Sequence, residues 1–133
     1  MAHSYEFTTK VWRAQPLYVV DGDTADLFVD RGFHHYSKER FRFLDIDTPE
    51  MNDKDEEERQ RAKEAKEMVK DLLDTFEKSD TVDLALWPLR IETEKKPDSF
   101  GRWLCRIYFT VDGVERSLNA ELLKAGLAVP YEK

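Results

Sequence analysis

Two acidic clusters and two arginines carry the chemistry that this chain can do. The first cluster reads Val20-Asp21-Gly22-Asp23-Thr24, and the second lies in Phe41-Arg42-Phe43-Leu44-Asp45-Ile46-Asp47-Thr48-Pro49-Glu50. Arg42 stands five residues before Asp47, and a second arginine follows in Phe100-Gly101-Arg102. Carboxylate oxygens suit a hard divalent cation, and guanidinium groups suit phosphate oxygens. Together they describe a site for metal-assisted phosphodiester chemistry.

Strands must position these groups. Residues 8–21 and 24–31 are rich in β-branched and aromatic residues and are separated at Asp21-Gly22-Asp23. Ala25, Leu27 and Val29 alternate with Asp26, Phe28 and Asp30, which predicts one buried face. Gly32 to Ser37 reads as a turn into a third strand over Glu39–Ile46, where the pleat sets Arg42 opposite Phe41 and Phe43. Pro49 ends that strand. A fourth strand is expected over Thr81–Trp87, stopped by Pro88, followed by a polar loop over 89–101. A fifth spans Trp103–Val111, with Cys105, Ile107 and Phe109 on one face, and Asp112-Gly113 marks a turn after it.

The helical signal is strongest over 55–77, where Ala62, Ala65, Met68, Val69, Leu72, Leu73 and Phe76 recur at three- and four-residue spacing. Its charged remainder reads as a solvated face. Ser117 or Asn119 can cap a second, short helix that runs through Ala125 and stops at Gly126, with Leu118, Leu122 and Leu123 turned inward. Five short strands with two helices predict a mainly β fold, a small closed barrel with the strand count of the oligonucleotide-binding (OB) fold.

The 133 residues fit a single domain and include enough apolar material, 41%, for a core. A net charge of −7 argues against broad electrostatic adhesion to nucleic acid. It leaves room for an enzyme that grips one phosphate locally. The lone Cys105 forms no internal disulfide, and no apolar run approaches membrane-spanning length. A cytoplasmic protein without membrane contact is expected from the chain as written, and secretion from a longer precursor stays open.

The segments already quoted, with Asp-Ser-Phe-Gly-Arg at 98–102 and Leu-Asn-Ala-Glu-Leu-Leu-Lys-Ala-Gly-Leu-Ala at 118–128, resemble the staphylococcal nuclease (thermonuclease) family in the family's order across about 8–131. The resemblance implies a five-stranded OB-fold barrel with two helices, one nuclease domain over 1–133, and a monomer. It implies calcium-dependent hydrolysis of DNA or RNA at the bond between phosphorus and the 5′ oxygen, leaving 3′-phosphates. On this resemblance Asp23 and Asp47 bind calcium through their carboxylates, and Thr48 offers its backbone carbonyl. Glu50 handles the attacking water, and Arg42 and Arg102 bind the phosphate. Tyr131 matches a base contact, and Phe100 stands at a substrate-binding position.

Each residue alone has a plainer reading. Asp23 and Asp21 suit a turn, Asp47 can cap backbone near Thr48-Pro49, Arg42 can be a surface strand residue and Arg102 a loop charge. Their joint occurrence in register favours a site. His34 and His35 at a turn make poor metal candidates, Cys105 reads as a small buried residue, and Trp103 and Tyr108 suit packing more than base stacking. Three departures from the family stand out. Asp45 replaces an apolar residue and falls on the same side of an extended strand as Asp47. Ser99-Phe100 replaces a lysine–tyrosine pair, for which Lys95 or Lys96 is the candidate substitute. The resemblance does not extend to the family's usual last helix. Two rival functions remain: a catalytically silent nucleic-acid or protein-binding module on the same fold, and a metal-independent single-strand binder, against which the acidic charge counts.

Overall fold

A computed structural model describes residues 9–74, 87–94, 97–98 and 100–131. Alternation of apolar and polar residues sets the strands, and their order along the chain is β1 (Thr9–Asp21), β2 (Thr24–Asp30), β3 (Tyr36–Phe43), β4 (Ile46–Asp47), helix α1 (Glu56–Asp74), β5 (Leu89–Glu94), β6 (Trp103–Val111), β7 (Val114–Ser117), helix α2 (Leu118–Lys124) and β8 (Val129–Pro130). The main sheet runs β3-β2-β1-β5-β6-β7 with antiparallel neighbours. β3 then pairs in parallel with β6 through Phe41–Trp103, Arg42–Leu104 and Phe43–Cys105. That seam closes a mixed five-stranded barrel of β1, β2, β3, β5 and β6. The OB-type barrel with two helices expected from the sequence is the architecture.

Strand parity decides what fills it. Ala25, Leu27 and Val29 of β2, Phe41 and Phe43 of β3, Leu89 and Ile91 of β5, and Cys105, Ile107 and Phe109 of β6 are all buried. Burial raises the Cys105 thiol far above its ordinary range, so it acts as a small apolar side chain. Asp55 starts α1 by accepting the Glu57 N–H at 3.0 Å, and Glu56 to Glu58 favour the positive end of the helix. Ala62, Ala65, Val69 and Leu73 form its buried stripe. Ser117 caps α2, accepting the Ala120 N–H, and Gly126 ends it at φ +73°. Asn119 is not the cap. Buried inside α2, it donates to the Leu44 carbonyl at 2.6 Å and accepts the Ile107 N–H at 3.3 Å. No helix among the described residues is long and apolar enough to cross a membrane.

Three readings of the sequence need correction. The third strand ends at Phe43, and the stretch read as a turn already contains its start at Tyr36. A barrel strand lies within the expected polar loop: Leu89, Ile91 and Thr93 face inward while Arg90, Glu92 and Glu94 face outward, and Pro88 directly precedes it. The strand expected over 81–87 lies outside the described residues except Trp87, as do Phe76, Lys95, Lys96 and Ser99. Asp45 sits in a tight turn at φ +67°, where an extended strand was expected. Its carboxylate accepts from Arg106 Nε at 2.6 Å.

The turn between β1 and β2 lies directly against α1. A methyl group at Gly22 would stand 2.7 Å from Ala65 Cβ and 3.3 Å from Thr48 Oγ1, so glycine is needed for this close approach. Gly22→Ala is expected to destabilise the fold by about 1–3 kcal/mol through overpacking. Adding Ala65→Gly should restore most of that, less about 1 kcal/mol for glycine inside a helix. Urea unfolding midpoints measure both, and an unchanged midpoint in Gly22→Ala would contradict the contact.

Candidate functional site

One open cleft of about 970 Å³ lies beside the barrel seam. Asp23, Arg42, Asp47, Thr48, Glu50, Phe100, Arg102 and Tyr131 all line it. The chain reaches it from four directions: the β1–β2 turn, the end of β3 with β4, the loop before β6, and the segment after β8. β4 pairs with β8 through Ile46–Pro130 and Asp47–Val129, and the Tyr131 N–H donates to the Asp45 carbonyl at 2.9 Å. This small sheet carries Tyr131 to the site.

Arg42 occupies the centre. On β3 its register partners are Thr24 on one side and Leu104 on the other. Its Nη2 donates to Asp47 Oδ1 and to the Ile46 carbonyl at 3.4 Å each, and stands 3.8 Å from Asp23 Oδ2. Nη1 donates to the Phe43 carbonyl at 3.4 Å. The Tyr131 ring covers the guanidinium at 5.1 Å. Arg102 is held in a similar way. Its Nε donates to Asp98 Oδ2 at 2.9 Å, Nη2 lies 2.7 Å from the same oxygen, and the Phe100 ring stands 5.2 Å away. Each arginine thus has a carboxylate in front and an aromatic face alongside.

Thr24 links the two halves. Its buried hydroxyl donates to Asp23 Oδ1 at 3.0 Å and accepts from Arg102 Nη1 at 3.3 Å. Asp98 and Thr24 are residues that the sequence reading did not single out. Both lie inside quoted motifs, but their partners lie across the fold or turn back along the loop. Burial tends to raise the Asp98 pKa, yet hydrogen bonds from the Arg102 side chain and backbone and from the Phe100 N–H hold it below its ordinary 3.8.

Asp21 forms the turn and also borders the site. It lines the cleft and accepts the Asp23 N–H at 3.1 Å. Burial first, then the neighbouring Asp23 carboxylate, raises its pKa to about 6. Negative charge is therefore crowded at this end of the cleft. The available donors are all oxygens, which suits a hard cation that completes its shell with water and phosphate. They do not form a closed cage: among the described residues no three His, Cys, Asp or Glu side chains converge on one point. Thr48 is buried, whereas Asp47 and Glu50 are exposed. Glu50 is tied through its backbone, its carbonyl accepting the Asp53 N–H at 3.2 Å. Asp45, His34 and His35 do not line the cleft.

A family model described as "Staphylococcal nuclease homologue" matches residues 40–133, more than half of the chain. The span includes Arg42, Asp47, Thr48, Glu50, Phe100, Arg102 and Tyr131, and leaves Asp23 outside it. No curated protein matches the chain.

Two outcomes follow from this geometry. Thr24→Val removes the bridging hydroxyl and leaves a partly buried carboxylate oxygen and a guanidinium nitrogen each one partner short, so stability should fall by about 1–2 kcal/mol in urea unfolding. An unchanged midpoint would contradict the bridge. The second outcome concerns acid. The folded Asp98 pKa lies below its unfolded 3.8, so the pair with Arg102 stabilises the fold above that value and fades as pH falls through the folded one. The stability gap between the parent and Asp98→Asn should be flat above about pH 5 and shrink below 3.8 in thermal melts. A gap that does not change with pH would contradict this role.

Proposed function

The chain belongs to the staphylococcal nuclease homologue family, and we propose that it is a calcium-dependent nuclease that hydrolyses phosphodiester bonds of DNA or RNA. The cut falls between phosphorus and the 5′ oxygen and leaves 3′-phosphates. One observation carries this reading: Arg42 and Arg102, each already oriented by carboxylates and an aromatic ring, share a single cleft with Asp23, Asp47 and Glu50.

The two guanidinium groups can donate forked hydrogen bonds to the non-bridging oxygens of one phosphate, where negative charge concentrates in the transition state. Prior orientation lowers the ordering cost of that step. Asp23 and Asp47 with the Thr48 carbonyl would hold calcium, which when bound supplies Lewis-acid polarisation of a phosphoryl oxygen. Arg42 faces both acids in the free protein and can turn to phosphate once those carboxylates have another cation to face. Glu50 is exposed and free to take a proton from the attacking water or to orient it. The new P–O bond forms as the bond to the 5′ oxygen breaks, and solvent in the open cleft protonates the departing oxygen. Tyr131 and Phe100 offer aromatic faces for flanking bases, at 48% and 81% exposure.

A second reading is a binding module without turnover. It is favoured by Arg42 lying between Asp23 and Asp47 while no three acidic side chains among the described residues converge. One assay separates the two. Purified protein is incubated with single-stranded DNA and RNA in calcium, magnesium or chelator, and product ends are identified. The nuclease reading predicts 3′-phosphate products with calcium and none with chelator. Arg42→Ala should lower turnover by about 10²–10³-fold, and Glu50→Ala by about 10²–10⁴-fold. Full activity in both variants would overturn the mechanism, and binding with no products in calcium would establish the silent module.

A further inference from the structure

A second cavity, of about 260 Å³, opens at the barrel mouth remote from the Asp21–Thr24 turn. It is made from core-facing positions of all five barrel strands. Trp12 shares its side of β1 with buried Ala14, and Trp103 shares its side of β6 with Cys105. Val29 and Phe41, each 3% exposed, lie deepest. Inward positions that would plug the mouth if they were aliphatic instead carry aromatic and charged groups.

The walls are preset. Trp12 Nε1 donates to Thr93 Oγ1 at 2.9 Å, which locks its ring, and the Arg31 guanidinium lies 5.3 Å from that ring. Trp103 stays 37% exposed. Lys10 and Arg31 at the rim are balanced by Glu39 and Glu94. That balance selects the ligand. A free phosphate would meet two carboxylates, and a hydrocarbon would strip water from four charges without replacing it. A neutral flat ring with its own donors and acceptors satisfies both the aromatic walls and the mixed rim.

The cavity borders the cleft described above. Glu94 lines both. Phe41 and Trp103 pair across the seam, and their chain neighbours are Arg42 and Arg102. Successive residues step about 3.3 Å along a strand and face opposite sides, so the socket lies on the inner side of the wall whose outer side carries Arg42. We propose that this socket is a base subsite that takes one unstacked nucleobase of a single-stranded substrate whose phosphate lies at Arg42 and Arg102. The inference rests on the nuclease reading for its substrate. A base stacked and paired in a duplex cannot enter without being flipped out, so the socket selects single strands or frayed ends.

The test uses the whole protein in calcium at low salt with phosphorothioate probes that resist cleavage, so that Asp23 and Asp47 have the metal ion to face, Arg42 is released to phosphate and the probe is not consumed. A fluorescein-labelled single-stranded dodecamer is titrated, then the same strand with one abasic residue moved through each position, then the blunt duplex. Anisotropy gives affinity and tryptophan emission reports the socket. The expected results are emission quenching, affinity for the duplex weaker by about tenfold or more, and one position whose abasic substitution costs about tenfold. In Trp103→Leu and Trp12→Leu, checked for folding by thermal melts, the intact strand should lose about the same factor and the abasic effect should disappear. If neither variant folds, the abasic walk on the parent decides alone. Equal affinity at every abasic position, or no binding of the strand, overturns the socket. Hydrolysis is scored separately in calcium. Products with base-independent binding keep the nuclease and remove the socket; base-dependent binding without products does the reverse.

Discussion

The guanidinium of Arg42, suspended between Asp23 and Asp47, is the contact on which the rest of the site depends. Its backbone belongs to the seam that closes the barrel, between Thr24 and Leu104. Its side chain is gripped by the β1–β2 turn, by β4 and by the Tyr131 ring. Barrel closure and site assembly are thus one event. Moving β3 by one residue against β6 would swap Arg42 with Phe41 or Phe43, placing a charge in the core and a phenyl ring in the cleft.

Several further contacts make that arrangement rigid. Gly22 lets α1 press the acidic turn into place through Ala65. Asn119 ties α2 to β6 and to the turn that follows β3. Asp98 and Thr24 fix Arg102 relative to Asp23. Overall charge is −7, yet the cleft concentrates two arginines beside crowded carboxylates. Local placement, and not net charge, sets what it can attract. The same economy of strand parity shapes the second mouth, where inward positions of the barrel bear tryptophan, arginine and glutamate instead of aliphatic side chains.

Much of this was legible in the sequence. Alternation in 24–30 and 103–111 gave strands with the observed buried faces, and the apolar stripe of α1 and the Ser117 and Gly126 signals of α2 read correctly. The candidate residues of the quoted motifs do meet in one cleft. The misses have physical causes. β5 has the alternation Leu89, Ile91, Thr93, but three charged residues on its outer face and Pro88 before it made it look like a loop. Asp45 adopts a left-handed conformation and pairs with Arg106 sixty-one residues away, a choice that no local pattern encodes.

In the proposed mechanism both arginines serve one phosphate. A crystal structure of the protein with calcium and a short single-stranded oligonucleotide tests it most directly. The expected result is guanidinium nitrogens of Arg42 and Arg102 within hydrogen-bonding distance of oxygens on a single phosphate, with Asp23 and Asp47 facing the metal ion. Arg42 still clasped between those two carboxylates, with the nucleic acid bound elsewhere, would contradict it.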